Sequence, residues 1–326
     1  MRGIIVRADF GRGLARQTYS FWKNLDWDVT VVVDMAGIQQ AANKPYQWSQ
    51  NLDAYPGAIV TQWKGYQAHF ENPDAYEALT ACDIIYTAET YYDPRLEKVP
   101  AILHVNPEFY RGEPAAEFWY PTNWNLHNLP EGKIIPTPID DEDIVSQIPG
   151  EGRALHVGGH TARMDRNGSR LVHGILARTR VPWKLCTQDG MKMRPEFRQF
   201  CQIMGNVENH WELYEDASML VYPRRYGGQS LQVNEAMAKG LAVLMTDCPP
   251  NLDTWPILPI EARKTSRVQT PGGTFRMYQA EAKPLSDEVH RLMNDSDLLA
   301  EWQTKSLQWA RDNAWSKWKP KIDIGG

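Results

Sequence analysis

The sequence predicts an α/β protein built from two doubly wound domains that face each other across a cleft. Three observations support this prediction. The 326 residues exceed what one hydrophobic core usually organises. Short apolar runs typical of buried strands alternate with helix-like segments, and this alternation restarts near residue 150. Glycine-containing loops follow several predicted strands, at the edge where open parallel sheets bind their ligands.

In the first half, apolar runs predict strands and one periodic segment predicts a helix. The predicted strands are residues 3–8, 28–34, 57–63, 83–88, 101–106 and 118–122. The predicted helix covers residues 14–25, where apolar side chains recur with helical spacing. The proline-rich stretch "GKIIPTPID" (132–140) is typical of an interdomain connection. We therefore expect domains at 1–145 and 146–305, followed by a C-terminal helical segment, 306–326.

The second half repeats the pattern. Strands are expected at 153–159, 183–188, 217–223 and 241–246, and helices at 169–179, 194–204 and 230–239. Residues 253–280 have no clear period and are expected to be irregular, whereas residues 285–315 are strongly helical in pattern.

Bulk properties argue against several classes of protein. Residues 1–140 carry 11 Lys+Arg and 17 Asp+Glu, so the first half is acidic and matches a nucleic-acid backbone poorly. No apolar run approaches membrane-spanning length, and the N-terminus lacks a signal-peptide pattern, so a cytoplasmic protein is expected. The isolated cysteines are expected to be buried and apolar rather than disulfide-bonded or metal-binding: Cys82, Cys186, Cys201 and Cys248.

Two glycine loops follow predicted first strands. Gly11 and Gly13 lie in "DFGRGLARQ", which lacks full dinucleotide-binding spacing and is also compatible with a simple tight turn. The loop "VGGHTARMDRNGS" is a stronger candidate for a diphosphate site. Its glycines allow close backbone approach, its arginines can bind phosphate, and its serine is expected to cap the next helix: Gly158, Gly159, Arg163, Arg166 and Ser169. The alternative is that these arginines are solvated or paired with Asp165.

The segment "RRYGGQSLQVNEAMAKGL" (224–241) connects a predicted strand to a predicted helix through adjacent glycines. A helix N-terminus offers free N–H groups to an anion, and Glu235 can accept hydrogen bonds from paired hydroxyls. The alternative is a surface turn with a solvated glutamate. His104 ends another predicted strand, where a histidine is more often a packed structural residue than a functional one.

Several segments resemble GT-B glycosyltransferases, especially glycosyltransferase family 4, in the same order along nearly the whole chain. "NEAMAKGLAV" is the most specific part, and "LHVGGHTARMDRNG", "FGRGLARQTY", "YPTNWN…IPTPID" and "ARDNAWSKW" are similar to further family segments. The resemblance implies two Rossmann-like domains and transfer of a sugar from a nucleotide-sugar, expected to be a UDP-sugar, with retention of configuration. It implies no further cofactor and no metal. Small enzymes of this kind resemble some encoded by bacteriophages, which would place the protein in the host cytoplasm.

The resemblance also assigns roles by position. Glu235 matches the glutamate that binds the ribose hydroxyls. The backbone of Gly228, Gln229 and Ser230 matches contacts to the donor sugar or its phosphate. Arg166 would hold the diphosphate during catalysis, and His104 resembles a histidine near the donor sugar. The remaining donor-binding positions are the loop glycines Gly11 and Gly13, the phosphate loop with Gly158, Gly159 and Arg163, and the base-contacting Asn206 and Val207.

Two positions depart from the family pattern: Gly227 stands where a second glutamate is usual, and Gly159 where an arginine is usual. Two other functions stay open, namely a nucleotide-sugar epimerase or hydrolase on the same scaffold and a carbohydrate-binding protein without activity. The acidic first half favours a protein side chain or a small molecule as acceptor over a hydroxymethylated DNA base.

Overall fold

The computed structural model describes residues 1–8, 13–35, 52–65, 68–159, 165–187, 199–205, 207 and 209–324. The chain divides into two compact units. Unit 1 comprises residues 1–138 together with 315–326, and unit 2 comprises residues 139–314. For comparison, the sequence placed the boundaries at 145 and 305.

Unit 1 contains a parallel sheet of seven strands in the order β3-β2-β1-β4-β5-β6-β7. The strands are β1 Arg2–Arg7, β2 Val29–Asp34, β3 Ile59–Gln62, β4 Ile84–Ala88, β5 Ala101–His104, β6 Glu117–Tyr120 and β7 Lys133–Ile134. The first six match the predicted apolar runs. Because both faces of a parallel sheet are covered, the central strands are continuous apolar runs without alternation.

Helices α1 Gly13–Asn24 and α2 Pro73–Thr80 flank this sheet. Asn72 caps α2, because its side chain accepts a hydrogen bond from the Asp74 N–H. The last part of the chain also packs in unit 1, where α8 Trp315–Trp318 places Trp315 in the core beside Phe21. The "DWD" turn, residues 26–28, connects α1 to β2, and the Asp28 carboxylate accepts a hydrogen bond from the Arg2 N–H.

Unit 2 contains a second parallel sheet, of six strands, in the order β10-β9-β8-β11-β12-β13. The strands are β8 Arg153–Gly159, β9 Trp183–Thr187, β10 Cys201–Met204, β11 Ala217–Tyr222, β12 Ala242–Thr246 and β13 Leu258–Ile260. A separate antiparallel hairpin is formed by β14 Ala262–Thr270 and β15 Gly273–Ala280. The helices are α3 Ser169–Thr179, α4 Leu231–Ala238, α5 Asn251–Thr254, α6 Ala282–Asn294 and α7 Ser296–Asp312.

Three sequence predictions differ from the structure in unit 2. The predicted helix 194–204 is wrong at its end, because Cys201–Met204 is a strand paired in parallel with β9. The segment expected to be irregular, 253–280, contains β13 and the hairpin. The long C-terminal helix is two helices, because Asp295 ends α6 in extended backbone and its side chain caps α7 at Leu298.

Two bulk predictions can be compared with the described residues. All four cysteines are free and buried, as expected from their isolated positions. None of the helices in the described ranges combines the length and hydropathy that crossing a bilayer requires.

Candidate functional site

The candidate site lies in unit 2, where the strand order reverses between β8 and β11. In doubly wound sheets, the connections on either side of such a point run to opposite faces and leave a crevice at the carboxyl ends of the strands. Gly158 near the end of β8 and Tyr222 at the end of β11 mark this edge. The following chain enters α3 and α4, so two helix N-termini begin near the same crevice.

The start of α3 is pressed against the end of β11. Gly168 is the N-cap of α3 and has a φ of +73°, a conformation that side chains with a Cβ rarely adopt. A Cβ on Gly168 would lie 2.3 Å from the carbonyl oxygen of Pro223. Glycine is therefore required here for two reasons. Because Gly168 has no side chain, the N-terminus of α3 can lie close to the end of β11 at the crevice.

The Ser169 hydroxyl does not cap α3, contrary to the sequence prediction. Gly168 takes the cap position, and the Ser169 Oγ lies 2.8 Å from His156 Nε2. His156 Nδ1 lies 2.9 Å from the carbonyl oxygen of Val221, so Nδ1 must donate and Nε2 must accept. Burial lowers the pKa of His156 to about 4, which keeps the ring neutral. This neutral histidine links β8, β11 and α3.

Among the described residues, Asp165 forms no ion pair with Arg166, the one of the two loop arginines that the structure describes. Its carboxylate accepts a hydrogen bond from the backbone N–H of Arg170, at 3.2 Å to Oδ2, and thereby supplies an acceptor at the first turn of α3. The backbone at Arg166 is also fixed, because its carbonyl oxygen accepts the Arg225 N–H at 2.8 Å. The two loops at the crevice are therefore joined.

Arg224 organises the loop before α4. Its side chain is 2% exposed, and its guanidinium donates to the carbonyl oxygens of Gly228, at 2.9 Å, and Gln229, at 2.7 Å. The Thr246 hydroxyl from β12 donates to the Arg224 carbonyl oxygen. A buried cation thus holds the peptide groups of the glycine loop in place.

Gly227 lies between two guanidinium groups. A Cβ on this residue would be 2.1 Å from Arg166 Nη2 and 2.6 Å from Arg224 Nη2, and its φ is +112°. No larger residue fits without displacing the arginines. The Arg166 guanidinium also lies over the Tyr226 ring, 5.4 Å from its centroid, and its Nε donates to the Tyr226 carbonyl oxygen. Two positive charges are consequently concentrated at this loop.

Glu235 lies in α4 and is 7% exposed. Its Oε2 accepts a hydrogen bond of 2.5 Å from the Tyr214 hydroxyl. The interpretation of Glu235 as a solvated surface glutamate is therefore wrong. Next to the C-terminal end of the same helix, the Lys239 ammonium lies 4.0 Å from the Trp211 ring centroid and donates to the Asp143 carbonyl oxygen.

The structure places five of the predicted donor-site residues at or beside the carboxyl edge of the unit 2 sheet, namely Gly158, Arg166, Gly228, Gln229 and Ser230. Glu235 lies further along, in the second turn of α4. Ser230 is the N-cap of α4, and its hydroxyl lies 3.4 Å from that of Tyr222. Gly159 ends β8, and Val207 is half-buried after β10. Gly13 is the exposed first residue of α1, whereas Gly11, Arg163 and Asn206 lie outside the described residues.

His104 is a packed residue of unit 1. Its side chain is fully buried at the end of β5, and its Nδ1 lies 3.0 Å from the Tyr86 hydroxyl. The rings of Phe21, Tyr86 and Trp119 all meet it edge-on. Burial lowers its pKa to about 3. This geometry corresponds to the structural role that the sequence left open, and within unit 1 it offers no exposed nitrogen to a substrate.

Sequence reasoning missed three residues that shape this site: Arg224, His156 and Tyr214. Arg224 directly follows the strand-ending proline, a position from which a side chain can turn back over its own loop. The histidine in "RALHVGG" and the tyrosine in "ELYED" carry no spacing that distinguishes them from core residues. Their importance depends on contacts between segments distant in sequence.

Comparisons with known proteins agree with this location. Residues 186–255 match a family model described as "Glycosyl transferases group 1". This range includes β11, the glycine loop, α4 and β12. No curated protein matches the chain.

Solved structures extend the similarity to both units. HepE of Anabaena, solved in complex with UDP and glucose, has a TM-score of 0.66 at 10% identity, covering 99% of this chain and 98% of that one. Sucrose-phosphate synthase from Thermosynechococcus elongatus has a TM-score of 0.66 at 11% identity, covering 98% and 96%. A glycosyltransferase from Rickettsia africae ESF-5 has a TM-score of 0.62 at 12% identity, with the same coverage. The fold is that of the GT-B glycosyltransferases, which confirms the fold expected from the resemblance.

Proposed function

We propose that the chain is a glycosyltransferase that moves a sugar from a nucleotide-diphosphate donor, a UDP-sugar, to a hydroxyl acceptor. The observation that carries the proposal is the combination of Arg166, Arg224 and Glu235 at the switch point of unit 2. Two cations and one buried carboxylate there match the two ends of a nucleoside diphosphate. The group 1 match over the same segment supports it.

The arginines suit the leaving group. When the sugar departs, negative charge develops on the diphosphate, and preorganised cations and N–H dipoles lower the barrier to that step. Arg166 lies at the loop before α3, and the buried Arg224 fixes the Gly228 and Gln229 peptides before α4. Because backbone bonds hold both loops, little reorganisation is needed when charge develops. We propose Arg166 as the residue that binds the diphosphate during transfer.

Glu235 suits the nucleoside. A carboxylate accepts hydrogen bonds from two neighbouring hydroxyls, as a ribose presents them, and charge-assisted bonds of this kind are the stronger ones. The Tyr214 hydroxyl binds one oxygen and so restricts the rotation of the carboxylate. The UDP in the HepE complex supports uridine as the base of the donor.

The finer features of the reaction are proposals. Retention of configuration follows a front-side path, in which the departing phosphate oxygen itself takes the acceptor proton. Charge neutralisation is assigned to arginine rather than to a metal. For the acceptor, the acidic residues 1–140 support a protein side chain or a small molecule. The roles of Gly11, Gly13, Gly159, Arg163, Asn206 and Val207 in donor binding stay predictions.

Calorimetric titration with UDP and with UDP-sugars tests the proposal. The wild-type protein is expected to bind UDP, and Glu235→Gln is expected to weaken binding by about 10- to 100-fold, since a hydrogen bond to a charged group contributes about 1.5–3 kcal/mol. Glu215→Gln removes the same charge from an exposed position just before β11 and serves as the matched control. Product analysis with a labelled UDP-sugar then identifies transfer and the anomeric configuration.

Two results would overturn the proposal. One is equal UDP affinity in wild type and Glu235→Gln. The other is the absence of heat and of thermal stabilisation with every nucleoside diphosphate and nucleotide-sugar tested, since a ligand of the folded state at 100 times its Kd contributes about 2.7 kcal/mol of stability.

A further inference from the structure

The hairpin of β14 and β15, residues 262–280, has a charge unlike that of the rest of the chain. It carries four basic residues and no acidic one, within a protein of net charge −5. The basic residues are Arg263, Lys264, Arg267 and Arg276, and all four are exposed. We call this hairpin the basic ribbon.

One face of the basic ribbon is anchored and the other is free. Val268, Phe275 and Met277 are buried and share one face of the hairpin, whereas the antiparallel register places Lys264, Arg267 and Arg276 together on the opposite face, where all three are exposed. Within the described part of the chain β14 pairs only with β15, so its outer edge faces no other strand. The ribbon therefore presents a polar, cationic surface that the fold itself does not use.

Two of its charges are placed unfavourably for the isolated protein. Arg267 and Arg276 are directly opposite each other across the two strands, and like charges in such pairs are destabilising. Among the described residues neither guanidinium forms an ion pair. Arg263, in contrast, forms one with Glu281, with 3.4 Å between Arg263 Nη2 and Glu281 Oε1. A bound polyanion would relieve this repulsion.

The shape and side chains of the ribbon select the polyanion. A two-stranded β-ribbon is one of the two elements that the major groove of B-form DNA admits. The other exposed polar residues of the ribbon are Thr265, Ser266, Gln269, Thr274 and Gln279, whose side chains are of the types that can hydrogen-bond to phosphates or base edges. Arg263–Arg267 contains no apolar residue for insertion into a lipid surface.

We propose that the basic ribbon is a binding surface for double-stranded DNA. Its base is fixed beside the candidate donor site, because the Tyr278 N–H donates to the Arg225 carbonyl oxygen at 2.9 Å and the Ala262 N–H donates to Asp247 Oδ1. DNA on the ribbon would lie next to the loop that contains Arg224 and Gly227. The inference goes beyond the proposed transferase function and concerns binding alone, whichever hydroxyl accepts the sugar.

Fluorescence anisotropy with a labelled 20-base-pair duplex, without nucleotide-sugar, tests the inference across a salt series. Four phosphate contacts predict a slope of about −3.6 for log K against log [salt], or about a hundredfold loss of affinity between 50 and 200 mM salt. The double variant R267A/R276A should reduce the slope by about 2 and weaken binding at low salt. A duplex RNA of the same length should bind more weakly, because its major groove does not admit the ribbon.

The matched control is K317A/K319A, which removes two exposed charges from unit 1 and changes the net charge equally. This control should keep the wild-type slope. Circular dichroism and Tm verify that both variants fold. The inference is overturned if the duplex does not bind at 50 mM salt, if both double variants reduce the slope equally, or if only phosphatidylserine-containing vesicles bind. UDP affinity is measured separately, so failure here leaves the proposed transferase function standing.

Discussion

At the scale of single residues, the neutral His156 makes stability depend on pH. Its pKa of about 4 in the folded state is below the ordinary value of about 6.5 in an unfolded chain. A depressed histidine pKa means that protonation favours unfolding. The stabilisation is therefore complete above about pH 6.5 and is lost as the pH falls towards 4.

The substitution His156→Asn isolates this contribution. Asparagine keeps a donor towards the Val221 carbonyl oxygen but does not titrate. Between pH 7 and pH 5, wild type should lose about 2 kcal/mol more unfolding free energy than the variant, as 1.36 kcal/mol per pH unit implies. Urea unfolding at both pH values measures the difference. The exposed His127→Asn should behave like wild type, and an equal loss in His156→Asn would contradict the interpretation.

At the scale of elements, two glycines of α3 and its N-cap, Gly168 at the cap and Gly174 within the helix, have opposite roles. Gly168→Ala should destabilise unit 2 by at least about 1–2 kcal/mol, the usual penalty for a left-handed residue with a Cβ. The new Cβ would also meet the Pro223 carbonyl oxygen and shift the helix N-terminus away from the crevice. Gly174→Ala should instead stabilise by about 0.5–1 kcal/mol, since Gly174 is mid-helix with open space around it.

Thermal unfolding and UDP titration of both alanine variants distinguish an effect on stability from an effect on UDP binding. Gly168→Ala should lower Tm and weaken UDP binding. Gly174→Ala should raise Tm by about 2–4 °C at unchanged UDP affinity, given the size of unit 2. A stable Gly168→Ala protein with wild-type affinity would show that the contact between α3 and β11 does not hold the site.

The elements also show how far the sequence specifies this fold. Central strands such as β1, β4 and β11 were predictable, because strands buried on both faces must be continuous apolar runs. The strand β10 was not, because its exposed Gln202 and Ile203 carry no such run and its pairing with β9 depends on tertiary contacts. The β14 strand was missed for a related reason, since six of its nine residues are exposed and supply no alternation.

The residues of the candidate site also divide into those that local sequence predicts and those whose roles depend on tertiary contacts. Glycines and the glutamate of the 224–241 segment were predictable from local sequence, since a strand, a glycine loop and a helix with a carboxylate form a recognisable order. Arg224, His156 and Tyr214 were not, because their roles are defined by hydrogen bonds to groups on other loops and strands. A buried arginine that hydrogen-bonds to its own loop produces no periodic pattern in the sequence from which its role could be predicted.

At the scale of the whole molecule, the chain leaves unit 1 after Pro138 and returns at Trp315. Trp315 is 2% exposed, its Nε1–H donates to the Ser20 hydroxyl at 2.7 Å, and its ring meets that of Phe21 edge-on at 5.1 Å. The last residues of the chain thus complete the core of the first unit, together with Ile322 and Ile324.

Trp315→Ala should therefore destabilise unit 1 by about 3–5 kcal/mol, the usual cost of truncating a buried aromatic residue. Amide hydrogen exchange should accelerate in β1, β2 and β4 but not in β8 and β11, and UDP affinity should persist because the candidate donor site lies in unit 2. Trp309→Ala provides the reciprocal control, since Trp309 donates to the Thr254 carbonyl oxygen within unit 2. Uniform acceleration in both units, or loss of UDP binding in Trp315→Ala, would mean that the donor site depends on the core of unit 1.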